Sequence, residues 1–231
     1  MRTALLYQAG NFVGREYFAA LDESGLRPTV TATVGTISAA STERERSRTG
    51  GLWRPQGIPS DAVSDTFESA SDPRLGEFLG NMQIDVAIQG GVGILSGQNL
   101  TRPRIGWLNV HPGSLPQYRG NSCPEWAILN GDEVVATAHL LDKGIDTGPV
   151  ICSQAYSIGA DWTYHAFRAN LYAHCARVLI EALRLIAAEG ASAAHSQDEA
   201  GACYRKSMPP ETLQHIKGLF PLAAKAAPSC R

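Results

Sequence analysis

The chain has 231 residues, 44% of them from the set AVILMFWYC and 18% charged, which suffices for one full-sized core with at most a short appendage and excludes disorder throughout. Twenty Lys and Arg against 22 Asp and Glu leave a formal charge of −2, so no overall field gathers nucleic acid or an anionic membrane. There is no apolar run of about 18 residues, and the opening Met1 to Gln8 turns polar too early for a signal peptide. The expectation is a soluble, cytoplasmic protein without nucleic-acid or membrane partners. Cys123, Cys152, Cys175, Cys203 and Cys230 are odd in number and lack a Cys-x-x-Cys pair, so free thiols are expected instead of a disulfide framework or zinc knuckle.

Along the chain, strand-like segments at 3–7, 29–34, 84–89, 105–110, 134–140 and 150–156 alternate with helical stretches at 12–21, 42–48 and 73–82. That alternation implies crossover connections, hence an α/β, doubly wound, Rossmann-like fold with a mainly parallel twisted sheet and helices on both faces. The stretch 35–60 reads as irregular apart from its charge cluster, Glu43 to Arg48, whose alternating signs suit a solvated helix face. From Thr163 a long helix is expected, with Leu171, Cys175, Val178, Leu179, Ala182, Leu183 and Ile186 as its core stripe, Asp161 or Thr163 at its start and Gly190 at its end. The domain so described spans 1–190. Residues 191–231 are read as an extension: a small, polar loop, a short helix after Pro209-Pro210-Glu211 that packs on the core or on a second subunit of a homodimer, and a disordered tail.

Polar information concentrates between Asn109 and Gly148. Asn109 and His111 stand two apart at the end of a strand, so both side chains project to one side, and Pro112-Gly113 ends the strand. The carboxyl edge of an open α/β sheet is where ligands bind. An amide N–H can donate to a developing oxyanion and an imidazole can relay a proton, the pair that acyl transfer needs. Asp146, bracketed by Gly144 and Gly148, is the carboxylate placed to orient that imidazole. His111, His139 and Asp146 could alternatively form a two-histidine, one-carboxylate metal centre.

The run Asn109-Val110-His111, then Leu115-Pro116, Arg119-Gly120, His139 and Asp146 resembles the signature of the formyltransferases that use 10-formyltetrahydrofolate, and Ile84 to Ser96 is similar to that family's strand and loop ending in Ile-Leu-Ser. The likeness runs over about residues 57–160 and points to a small, stand-alone member resembling sugar N-formyltransferases and the catalytic domain of methionyl-tRNA formyltransferase. It implies Asn109, His111 and Asp146 as catalytic. It also implies Val92, Ile94, Leu95, His139, Leu141, Asp142 and Lys143 around the folate, and no metal. The acceptor is expected to be a small-molecule amine, first a nucleotide-linked amino sugar, touched by Gly10, Asn11, Tyr118 and Arg119, with Trp126 and Trp162 as further candidates. An amine or hydroxylamine of a secondary-metabolite precursor, glycinamide ribonucleotide, hydrolysis of formyltetrahydrofolate and mere folate binding are the alternatives. The chain departs from the pattern in having Gly113, with Ser114 one place later, where the family has Ser. It also has Gly93 where purine-pathway members have Arg, and Gln8 to Gly14 in place of a Gly-x-Gly-Ser-Asn-like phosphate loop.

Overall fold

In the computed structural model, described here for residues 1–95 and 97–221, two layers of helix enclose one twisted sheet. In chain order the elements are β1 (Thr3–Ala9), α1 (Phe12–Glu23), β2 (Val30–Thr36), α2 (Ala39–Arg48), β3 (Asp65–Phe67), α3 (Pro73–Asn81), β4 (Val86–Gly90), α4 (Gly97–Thr101), β5 (Gly106–His111), β6 (Arg119–Gly120), α5 (Cys123–Asn130), β7 (Val135–Leu140), β8 (Val150–Ala155), α6 (Tyr164–Glu189), β9 (Tyr204–Arg205) and α7 (Pro210–Gly218). The main sheet has the order β3-β2-β1-β4-β5-β7-β8. Strands β3 to β5 in that order are parallel, whereas β7 and β8 are antiparallel to their neighbours. The reversal follows from chain length: only a short loop joins β7 to β8, too little for a crossover, so the pair closes as a hairpin.

Side-chain alternation sorts the strands onto two cores. Leu5, Val86, Ile88, Leu108 and Val110 face α1 and α6, meeting Phe18, Leu21, Phe167 and Leu171. Ala4, Leu6, Ala87 and Trp107 face the other way, against Leu75 and Leu79 of α3. Three helix starts that frame the sheet carry side-chain caps: Asn11 accepts from Val13 N at 2.9 Å, Asp72 from Arg74 N at 3.0 Å with Pro73 next, and Thr163 from Ala166 N at 3.1 Å. Thr163 thus takes the cap that the sequence left open between it and Asp161, and Gly190, at φ +66°, ends α6.

The segment after α6 is sewn into the same body instead of extending from it. His195 pairs with Val150, β9 pairs with β6, and Ile216 of α7 is fully buried in the core shared with α6. Of the two placements weighed for that helix, α7 takes the core. Residues 222–231, on which the expected disordered tail falls, lie outside the described residues.

Phe167 is fully buried, in ring contact with Tyr156, Tyr164 and Phe220. Phe167→Ala is expected to cost about 3 to 5 kcal/mol and to lower the melting temperature by roughly 6 to 20 °C, read by thermal denaturation.

Candidate active site

Strands β5 and β7 pair with Asn109 opposite His139 and His111 opposite Thr137, which puts the four side chains at the carboxyl end of β5 into two rows. Asn109 Nδ2 lies 3.1 Å from His139 Nε2, and His139 Nδ1 lies 3.1 Å from the Leu140 carbonyl. A carbonyl only accepts, so Nδ1 carries the proton and Nε2 is the acceptor for Asn109. His139 is therefore neutral and orients the Asn109 amide with one N–H spent and one left. Burial drives the His139 imidazole well below its usual range, the neighbouring carboxylate of Asp146 opposing and His111 reinforcing.

His111 Nε2 donates to the Tyr118 carbonyl at 2.7 Å, so its Nδ1 is the nitrogen that faces Asp146 Oδ2, 3.4 Å away. Asp146 Oδ1 is 3.6 Å from His139 Nε2, and Oδ2 accepts the Gly120 amide at 2.8 Å. Asp146 holds a left-handed backbone, φ +56°, which costs a non-glycine residue energy and recurs at functional sites. The Asp146 main chain is held by Gln197, whose Nε2 donates to the carbonyls of Asp146 at 2.9 Å and Gly148 at 2.7 Å. Both His139 nitrogens are engaged by the protein, Nε2 by the Asn109 amide and Nδ1 by the Leu140 carbonyl. Among the described residues no group of three or more His, Cys, Asp or Glu could hold a metal ion.

The glycine that replaces the family's serine has a steric reason. A Cβ on Gly113 would stand 2.6 Å from both His111 Nε2 and the Tyr118 carbonyl oxygen. The bond between those two atoms occupies the space a side chain would need. Ser114 does not substitute: its hydroxyl turns to Gln117 Oε1 at 3.5 Å.

One cavity reaches the start of β5 at Gly106 and another its end at His111, and the two share no lining residue. A mostly apolar cleft of about 720 Å³ lies between the loop after β4 and the loop after β7, lined by Ile94, Leu95, Leu100, Ile105, Leu141, Asp142 and Lys143 among others. It brings together five of the residues expected around the folate. Val92, by contrast, is buried in the α3 core, and His139 is enclosed between Asn109 and Asp146. Asp142 orders its own loop, accepting from Gly144 N at 2.9 Å and from the Thr147 hydroxyl. The second cavity, a polar chamber of about 190 Å³, opens on His111 and Pro112 and is walled by Arg48, Ser122, Glu125, Arg168 and Tyr172. Burial pushes the Glu125 carboxyl up, but the Arg168 guanidinium at 3.4 Å and the Tyr164 hydroxyl at 2.7 Å outweigh it and hold it below the usual carboxylate range.

The residues expected to touch the acceptor are placed otherwise. Arg119 is 1% exposed and directs its donors to Gln197 and to both carboxylate oxygens of Glu199, at 2.7 and 3.0 Å, so it braces the segment after α6 and does not face a ligand. The Tyr118 ring is buried, its hydroxyl bonded to Asp132 and Asn130, and only its carbonyl serves the centre. Asn11 caps α1 and donates to the Gly91 carbonyl at 3.2 Å, with Gly10 at φ +85° making the turn before it. Trp126 donates to the Lys206 carbonyl, and Trp162 packs near Tyr156. Gln197, Glu125, Arg168 and Arg48 were not anticipated. The two arginines and Glu125 carried no motif, and Gln197 lies 51 residues from Asp146 in a segment without periodic pattern.

Because His139 is held neutral, protonation favours the unfolded chain. Its contribution is complete above its ordinary value near 6.5 and is lost as pH falls from there towards the lower folded value. Unfolding free energies from urea titrations across that window are expected to fall by at most about 1.4 kcal/mol per pH unit from this group. His174, also lowered by burial, adds in the same direction. His139→Gln should flatten the slope, and an unchanged slope would contradict the assignment.

The profile of the formyl transferase family matches residues 3–183. Methionyl-tRNA formyltransferase of Agathobacter rectalis is 36% identical over 112 residues, covering 48% of this chain and 36% of the relative. The chain spans between 30% and 51% of the length of the similar curated relatives it matches. Phosphoribosylglycinamide formyltransferase of Streptococcus pneumoniae superposes with a TM-score of 0.57 at 23% identity, over 80% of this chain and 99% of that one. A sugar N-formyltransferase from a Shewanella species does so with 0.56 at 14%, over 90% and 77%. These likenesses to solved structures show a shared fold, and no helix among the described residues is long and apolar enough to cross a membrane. With the family profile matching well over half of its length, the chain belongs to the formyl transferase family.

Proposed function

We propose that this chain transfers the formyl group of 10-formyltetrahydrofolate to the amine of a small metabolite, a nucleotide-linked amino sugar. The observation that carries the reading is the Asn109–His139–Asp146–His111 array at the carboxyl end of β5, with a polar chamber opening on His111 and an apolar cleft walled by the loop after β7. The cleft suits a flat heterocycle: its walls are Ile94, Leu95, Leu100 and Leu141, and loop backbone groups meet polar edges. The folate supplies an activated formyl carbon. The polar lining of the chamber, with Arg48, Ser122, Glu125 and Arg168, offers donors and acceptors to a hydroxylated, charged acceptor, which favours transfer over hydrolysis.

In this reading Asn109 uses its remaining N–H to hold negative charge on the formyl oxygen as the acceptor nitrogen bonds to the formyl carbon. Fixed by His139, the amide needs no reorientation in that step. His111 carries the proton released by the attacking amine to the departing folate nitrogen, exchanging at Nδ1 beside Asp146, while its Nε2 stays anchored on Tyr118. The bond to the folate nitrogen breaks as the new amide forms, so the reaction needs no oxidant and no covalent enzyme intermediate.

The test follows absorbance as 10-formyltetrahydrofolate becomes tetrahydrofolate, with nucleotide amino sugars, glycinamide ribonucleotide, amine and hydroxylamine amino acids, or no acceptor. Turnover that depends on a nucleotide amino sugar is expected, and folate loss without any acceptor would make the chain a hydrolase. Asn109→Ala is expected to lose about 2.7 to 4 kcal/mol of transition-state stabilisation, on the order of a hundredfold or more in turnover, with folate binding retained. Gly113→Ser should lower turnover at least about tenfold, since the new Cβ displaces His111 from Tyr118, and wild-type rates would show that contact to be dispensable.

A further inference from the structure

A third cavity, of about 400 Å³, lies beside the chamber and belongs to neither side of the site described above. Phe12 and Arg15 of α1, Arg46 of α2, and Trp53, Arg54 and Pro55 from the segment that follows line it. Three arginines from three parts of the chain converge there, and among the described residues no carboxylate lies within 4 Å of any of them. Arg27, Arg48, Arg74, Arg104, Arg119 and Arg168 are each paired. Glu16 of α1 accepts from Trp53 Nε1 at 2.8 Å, which turns that carboxylate towards the indole. Arg54 is aimed by its Nε, which donates to the Gly51 carbonyl at 2.8 Å and leaves its terminal nitrogens unspent. Three like charges around one concavity repel one another, and an anion bound among them relieves that repulsion. Guanidinium forks match phosphoryl oxygens in geometry as well as charge.

The cavity is tied to the reacting end of the molecule by one contact. The Trp53 indole, buried, stacks on Tyr172 with centroids 3.7 Å apart and planes 1° from parallel, and Tyr172 walls the chamber at His111. Glu45 fixes the Tyr172 hydroxyl at 2.7 Å, so α2 presents Arg46 to the cavity and Arg48 to the chamber on either side of that stack. The alternating charges of Glu43 to Arg48 are thus divided between two cavities and do not form only a solvated face.

We propose that Arg15, Arg46 and Arg54 form a subsite for the phosphoryl groups of the acceptor, held against the Phe12–Trp53 wall while its amine reaches the chamber at His111. The proposal rests on the formyltransferase reading and deepens it by naming the three side chains that hold the acceptor's phosphoryl groups. Titration calorimetry of the full chain with inorganic pyrophosphate tests it without any formyl transfer. Wild type should bind, and Arg46→Gln and Arg54→Gln should each weaken binding about tenfold or more. Both side chains are exposed, and a thermal melt confirms that each variant is folded. Asn109→Ala should bind pyrophosphate as wild type does, so a failed formyl-transfer reading and a failed subsite give different results. Uridine diphosphate is titrated in parallel: tighter binding than pyrophosphate assigns the aromatic wall to a nucleoside, equal binding assigns the cavity to phosphoryl groups alone, and both support the subsite. No pyrophosphate binding by wild type at millimolar concentration, or unchanged binding in both arginine variants, overturns it.

Discussion

The carboxylate of Asp146 is the point at which otherwise separate parts of the chain are held in register. It faces His111 at the end of β5, His139 on β7 and the amide of Gly120 on β6, and its own carbonyl is held by Gln197 from the segment after α6. None of these contacts is strong alone. Together they seat a largely enclosed carboxylate on the Gly120 amide with an imidazole on either side, and a hydrogen-bonded carboxylate is tolerable there where an unpartnered one would not be. The left-handed backbone at Asp146 is the local cost, offset by the bonds around it.

From that anchor the hydrogen-bond directions follow without further assumption. Carbonyls at Leu140 and Tyr118 each accept from one ring nitrogen, which determines the tautomer of His139 and the direction of His111. The neutral His139 then decides which end of the Asn109 amide points inward. A donor oriented before substrate arrives needs no reorganisation when charge develops, which is where such groups gain their catalytic value. Gly113 belongs to the same logic, because the Tyr118–His111 contact fills the volume a larger residue would take.

Support for the centre comes largely from outside the sheet. Arg119 is buried in order to clamp Glu199 and Gln197, so the segment after α6 contributes to the positioning of Asp146 and is not merely an appendage. On the other side, the Arg168–Glu125 pair, enclosed with Tyr164 and Tyr172, keeps charge of both signs within a small chamber at His111. The Trp53–Tyr172 stack carries that chamber's wall outward to the region of α2.

The sequence by itself determined what depends on local spacing. Alternation and apolar runs located β1, β2, β4, β5, β7 and β8, the i, i+4 stripe located α6, and the period of two put Asn109 and His111 on one side of a strand end. The short β3, β6 and β9 were not legible, since two or three residues carry no period and are made strands only by their partners. Only tertiary structure decided that β7 pairs antiparallel with β5, that His139 orients Asn109, and that Arg119 turns inward to Glu199. Those outcomes depend on contacts between segments roughly 30 to 80 residues apart, which periodicity along the chain does not encode, because an arginine reads the same in sequence whether its partner is a ligand or a distant glutamate.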